Sequence, residues 1–252
     1  MKNQIKEFVF GLGVDDVGFL ASKDYHSDAS PKVENLFPQV QSIIVLAFHE
    51  LDTCDSPSPS MAMNGRLDLM EFSRSCNYKL ARFLAKEYGA RTMTAPVSYP
   101  MDLGDAQGTS GELSLRHAAV SAGLGKFGRH NLVIHPRFGT RVCFSAVLTD
   151  LSLATSDPVQ DELCIHCDLC VKNCPAAALD QPGQTNVVKC LQKSQPYGIG
   201  GSIHFWTKFA AASPEEQRRM LRSETFRRIY QTQFIGFQYY CFNCLKSCPV
   251  GK

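Results

Sequence analysis

Cys164-Ile-His-Cys167-Asp-Leu-Cys170-Val-Lys-Asn-Cys174-Pro175 is the stretch from which the rest of the chain is read. Its Cys-x2-Cys-x2-Cys-x3-Cys-Pro spacing is that of bacterial ferredoxins, whose short gaps let one loop wrap a [4Fe–4S] cube. Pro175 ends the loop, and Ala176–Leu179 is expected to begin a helix. In two-cluster proteins the fourth cysteine of such a run ligates the other cube, so a second set must exist. Cys241-x2-Cys244-x3-Cys248-Pro249 is one cysteine short of a full run, and Cys190 stands alone between the two runs. The assignment puts Cys164, Cys167, Cys170 and Cys248 on a first cluster, and Cys174, Cys190, Cys241 and Cys244 on a second. Zinc is the competing reading, because Cys-x2-Cys pairs also bind zinc. The full run with its trailing proline favours iron and sulfide. Cys54, Cys76 and Cys143 lack such spacing and read as ordinary buried thiols.

The surrounding composition agrees with a redox protein of the cytoplasm. Apolar residues make up 44% and charged residues 20%, the balance of a soluble globular chain. No apolar run has the length of a membrane span. Met1–Phe10 is too short an apolar stretch for a signal peptide and lacks twin arginines. Eleven cysteines in such a chain point to metal rather than to disulfides. The formal charge of +2 turns slightly negative once thiolates and cluster cores are included, so net charge makes no case for nucleic acid or membrane.

Upstream of the cysteines, helices and strands mix. Ile5, Phe8, Val9 and Leu12 recur at helical spacing, and Gly13 would end that helix. Val17–Ala21 and Ser42–Phe48 read as strands, the second a continuous apolar run typical of burial on both faces. Asp52–Gly65, with Pro57 and Pro59, reads as a loop, followed by a helix over Leu67–Tyr88 that stops at Gly89. Residues 96–111 look irregular. Ser114–Ala122 reads as a helix, and Leu132–Ile134 and Arg141–Thr149 as strands. Between the cysteine runs, Ser213-Pro-Glu-Glu216 is a capping box that opens a helix to about Tyr230, bearing Arg218, Arg219, Arg222, Arg227 and Arg228. Those arginines read as a solvated face, with an acidic or RNA docking face as the alternative. The fold class expected is α+β, with an α/β domain over 1–155 and a ferredoxin-type domain over 156–252.

Gly123-Leu-Gly125-Lys-Phe-Gly128 contains G-x-G-x-x-G, but it follows a helix rather than a strand, which argues against a dinucleotide site. The wider block is more specific. Arg116-His-Ala-Ala-Val-Ser-Ala-Gly-Leu-Gly125, Phe127-Gly-Arg-His-Asn-Leu-Val-Ile134, Pro136-Arg-Phe-Gly-Thr-Arg-Val142 and Leu148-Thr-Asp-Leu151, leading into the ferredoxin run, resemble the cobalamin-dependent iron–sulfur reductases. That family comprises epoxyqueuosine reductase and the reductive dehalogenases. Ser73-Arg-Ser-Cys-Asn-Tyr-Lys-Leu80, Cys190 and the final Cys-x2-Cys-x3-Cys-Pro match it as well.

The resemblance implies a nitroreductase-like α/β domain carrying a corrinoid, with two clusters feeding electrons to its cobalt and on to an organic substrate. By position, Gly123, Leu124, Gly125, Arg129, Asn131, Val133 and Phe144 would cradle that corrinoid. Plain packing is the alternative role for these residues. The chain also departs from the family. The proton-donating aspartate of epoxyqueuosine reductases falls on Thr109, so the candidate donors are Tyr99, Asp102, Asp105, Glu112 and His117. No helical-repeat extension follows the last cysteine, so tRNA is not expected as a partner. The expected partners are a small-molecule substrate or an electron-acceptor protein, with a reduced ferredoxin or flavodoxin as donor. The alternative function is a non-catalytic electron-transfer protein without cobalamin, and a flavin-loaded domain ranks last.

Overall fold

The computed structural model describes residues 1–97, 101–102, 110–235 and 239–251, without the side chains of 101, 102 and 110. Helix α1 (Lys2–Gly11) turns Ile5 and Val9 inward, and Gly13 leaves it at a φ of 90°. Strand β1 (Asp16–Ala21), helix α2 (Val33–Leu36), strand β2 (Ser42–His49), helix α3 (Pro59–Tyr88) and strand β3 (Thr92–Thr94) follow. Two short strands, β4 (Met101–Asp102) and β5 (Ser110–Gly111), pair with each other. Helix α4 (Leu115–Ser121) then leads into the small β6 (Lys126–Phe127) and β7 (Val133–Ile134) pair and into β8 (Val142–Thr149).

The main sheet runs β1-β2-β8-β3, with every neighbouring pair antiparallel. Strand β2 is central, and its alternating side chains feed two separate cores. Ile43, Val45 and Ala47 meet Ala118, Ala119 and Ala122 of α4 together with Leu124. Ile44, Leu46 and Phe48 meet Ile5 and Val9 of α1 and Leu80 and Leu84 of α3. Helices on both faces explain why β2 is apolar throughout instead of alternating.

Past residue 155 the chain is helical and irregular. Helices α5 (Leu169–Lys172), α6 (Val187–Ser194), α7 (Ile199–Ala211), α8 (Pro214–Leu221), α9 (Glu224–Ile235) and α10 (Asn243–Ser247) alternate with the cysteine loops. The expected division near 155 falls on a segment stitched to the sheet. The hydroxyls of Thr155 and Ser156 accept from Ala21 N and Phe19 N at 3.0 and 2.9 Å, covering the open edge of β1. The last turn returns to the α/β part, where Thr140 Oγ1 donates to the Leu245 carbonyl at 2.8 Å.

Three local expectations are corrected. The expected loop over Asp52–Gly65 is a short 3-10 turn at Asp52–Asp55 followed by α3 from Pro59. Proline is tolerated at the first helical position. Gly65 stays helical and lets the helix press on Thr53, whose Cβ would lie 2.7 Å from a Cβ added there. Second, Ala176–Leu179 is not helical. Ala177 takes a φ of 45°, and the Ala178 N–H donates to Cys174 Sγ at 3.3 Å, so the backbone serves the sulfur instead of a helix. Third, the helix expected from Ser213 to Tyr230 breaks after Leu221. Ser223 recaps the chain there by accepting from Phe226 N at 3.2 Å, while Ser213 caps α8 through Glu216 N as the capping box requires.

Candidate metal centre

Cys164, Cys167, Cys170 and Cys248 line one cavity that is partly open to solvent. The loop closes around it because His166 and Asp168 take left-handed φ values of 51° and 56°, which turn the chain inward between cysteines. Burial pushes the thiols of Cys170 and Cys248 up, and both are raised further by Cys164 and Cys167. Cys248 arrives on the turn after α10, which is tied to the first loop by Asn173 Nδ2 donating to Ser247 Oγ at 3.0 Å.

Cys174, Cys190, Cys241 and Cys244 form the second group. Burial, then Cys190 and Cys241, push Cys244 up to about 12. Burial likewise raises Cys190, with Cys241 and Cys174 adding to it. Helix α6 brings the isolated Cys190 into place. Its N-cap Asn186 accepts from Lys189 N at 3.0 Å, and the carbonyl of Ser194 at its far end accepts from Tyr240 N at 2.7 Å. The lone cysteine of the sequence is thus docked on the segment that opens the second run.

The donor chemistry fits cubes. Each group offers four cysteines, the full thiolate set of one [4Fe–4S] cluster. A cube spreads its four cysteines over separate corners. Thiols this resistant to ionisation release their protons when iron supplies the compensating charge.

The residues nominated as a corrinoid cradle are occupied otherwise. A Cβ on Gly123 would lie 2.2 Å from the Asp157 carbonyl oxygen, and one on Gly125 would lie 2.3 Å from that of Ile134. Both glycines permit close backbone packing. Leu124, Val133 and Phe144 are buried in the core beneath β2. Asn131 holds a φ of 59°, and its carbonyl accepts from Arg116. Arg129 faces the first cysteine group, pairs with Asp168 at 3.5 Å and donates to the Asp180 carbonyl at 3.2 Å. Packing thus accounts for Leu124, Val133, Phe144 and the two glycines, while Gly123, Arg129 and Asn131 keep part of their surface exposed.

Of the proton-donor candidates, Tyr99 and Asp105 lie outside the described residues, and Asp102 is placed only as backbone of β4. Glu112 is exposed. His117 is anchored through Nδ1 to Ser114 Oγ at 2.7 Å and Ser27 Oγ at 3.2 Å. Burial and the neighbouring Arg116 hold its pKa below the usual histidine value.

Two features escaped the sequence reading. One is a partly buried set of ion pairs: Glu50 pairs with Arg66, while Arg141 grips Asp55 through Nε and Nη2 at 2.8 and 3.0 Å. The Arg66 guanidinium also lies 5.9 Å from the ring centre of Phe242, next to Cys241. The other is His130, only 3% exposed, in the wall of the first cysteine group. Burial pushes its imidazole down to about 4. The charges come from distant segments, so no local spacing announced them.

Fold and cysteines together define the class: an α/β domain carrying ferredoxin-type iron–sulfur loops. Residues 158–180 match the 4Fe-4S binding domain family. Within that class the chain is similar to the epoxyqueuosine reductases. It is 31% identical to the epoxyqueuosine reductase of Staphylococcus aureus over 281 residues, covering 100% of this chain and 65% of that protein. It also shares the fold of an epoxyqueuosine reductase solved with an epoxyqueuosine-modified tRNA-Tyr stem loop. There the TM-score is 0.62 at 20% identity, over 99% of this chain and 65% of the other. A reductive dehalogenase whose structure suggests a mechanism for B12-dependent dehalogenation matches at TM-score 0.60 and 15% identity, over 96% of this chain and 36% of the other. The resemblance read from the sequence therefore holds for the shared core, and the chain spans about two-thirds of the length of the reductases it matches. Among the described residues no helix is long and apolar enough to cross a membrane.

Proposed function

We propose that the chain is an iron–sulfur oxidoreductase of the epoxyqueuosine reductase type, in which two [4Fe–4S] clusters in series deliver electrons to an organic acceptor. One observation carries this reading: Cys248 of the second run joins the first loop, while Cys174 of the first run joins Cys190, Cys241 and Cys244. Each run thus contributes to both groups, the exchange that holds two cubes close enough for electrons to pass. The residues proposed to hold the cubes are the eight cysteines, four to each. The 1–155 and 156–252 division then separates an acceptor-side domain from an electron feed. Iron and sulfide analysis of the reconstituted protein tests this, with about eight of each expected per chain. A value near four would contradict it.

A B12-type acceptor accords with the dehalogenase relative, but no step is assigned to it on the residues described. The close backbone contacts that give Gly123 and Gly125 a packing role accord with a second reading, an electron-transfer protein that serves a partner enzyme without cobalamin of its own. Mixing the reconstituted protein with hydroxocobalamin and desalting it divides the two. Retained corrinoid bands support the first reading, and bands that leave with the small molecules support the second.

The expectation that tRNA is no partner is revised. A relative of the same core was solved with a tRNA stem loop. Here Arg218, Arg219, Arg222 and Arg227 are exposed along α8, α9 and the link between them. Guanidiniums so placed suit a phosphate backbone. A small ferredoxin or flavodoxin remains the proposed electron donor.

A further inference from the structure

The segment Gly128-Arg129-His130 lies against the first cysteine group. The Arg129 N–H donates to Cys164 Sγ at 3.4 Å. His130 is 3% exposed and lines the same space as Cys164, Cys167, Cys170 and Cys248. Its Nδ1 accepts from Leu132 N at 3.0 Å, which assigns the ring's proton to Nε2. That Nε2 is buried and has no hydrogen-bond partner among the described residues. A buried donor left unpaired is costly, so its retention in the wall of a cysteine cage needs an acceptor. Gly128 makes room for the ring: a Cβ there would lie 2.6 Å from His130 Cε1.

We propose that His130 donates its Nε2–H to a sulfide of the first cluster, and thereby raises that cluster's reduction potential. The inference rests on the reading that Cys164, Cys167, Cys170 and Cys248 hold a [4Fe–4S] cube. Reduction adds negative charge to the cube, and a fixed N–H donor stabilises the reduced form more than the oxidised one.

The test is an EPR-monitored redox titration of the reconstituted protein and its variants, with the first cluster's signal assigned in a Cys190→Ala background. His130→Leu should lower the first cluster's midpoint and leave the second unmoved. His130→Gln, which returns an N–H at a similar reach, should recover most of the shift. Gly128→Ala keeps the imidazole but displaces the ring, and it should also lower the first midpoint alone. If His130→Leu fails to load the cluster, the Gln and Gly128 variants decide. An unchanged first midpoint in Gly128→Ala, or an equal fall of both clusters, overturns the proposal. Absence of a first cluster from the unmutated protein would instead overturn the cluster reading on which it rests.

Discussion

Gly139 meets the backbone of Val250 with no room for a side chain between them: a Cβ on Gly139 would lie 1.7 Å from the Val250 carbonyl oxygen. Gly139 also holds a φ of 55°, and a Cβ on Gly251 would lie 2.2 Å from Gly139 N. This is the seam that carries Cys248 to the first loop. Gly139→Ala should therefore lower stability by at least about 2 kcal/mol and reduce bound iron by roughly half, as Cys248 is pushed away. Iron analysis with urea denaturation checks both. A variant with full iron and unchanged stability would show that the seam does not position Cys248.

Gly125 separates packing from cofactor binding. Its missing Cβ is taken up by the Ile134 carbonyl, so Gly125→Ala should cost about 1–3 kcal/mol even in protein that has never met a corrinoid. Thermal unfolding without added cobalamin measures this. A cradle role without packing would leave the melting temperature unchanged.

The Glu50–Arg66 pair gives a pH-dependent expectation. Burial holds the Glu50 carboxyl above the usual range, against the opposing pull of Arg66. A carboxyl whose folded pKa is raised binds its proton more tightly folded than unfolded, so stability falls as pH rises through that interval. Arg66→Met removes the opposing charge and should cost about 3 kcal/mol near pH 8, the low end for a broken buried pair because Arg66 is 23% exposed. The loss should shrink at acid pH, as the carboxyl left without Arg66 takes up a proton. Denaturation at the two pH values checks the sign. An equal loss at both would mean that Arg66 acts through its packing on Phe242 rather than through its charge.

What the chain disclosed in advance follows from how local each signal is. The four cysteines from Cys164 to Cys174 announce a cluster by spacing alone, and β2 announces burial on both faces by an unbroken apolar run. Helix α3 beginning at Pro59 was hidden, because proline and Gly65 read as breakers until Thr53 is seen against the glycine. The turn at Ala177 was hidden because the competing partner for the Ala178 N–H is a sulfur. Gly123 and Gly125 were legible as places of close approach, but sequence could not say what approaches. The structure shows that it is the carbonyls of Asp157 and Ile134.

The most direct measurement is the iron content and EPR spectrum of Cys190→Ala. Cys190 lies on α6, far in sequence from either run, and joins Cys174, Cys241 and Cys244 only in the fold. Two clusters with exchanged cysteines predict that iron falls by about half, from roughly eight per chain to four, and that one wild-type cluster signal survives unaltered. Iron that stays near eight, with both signals intact, would contradict the account.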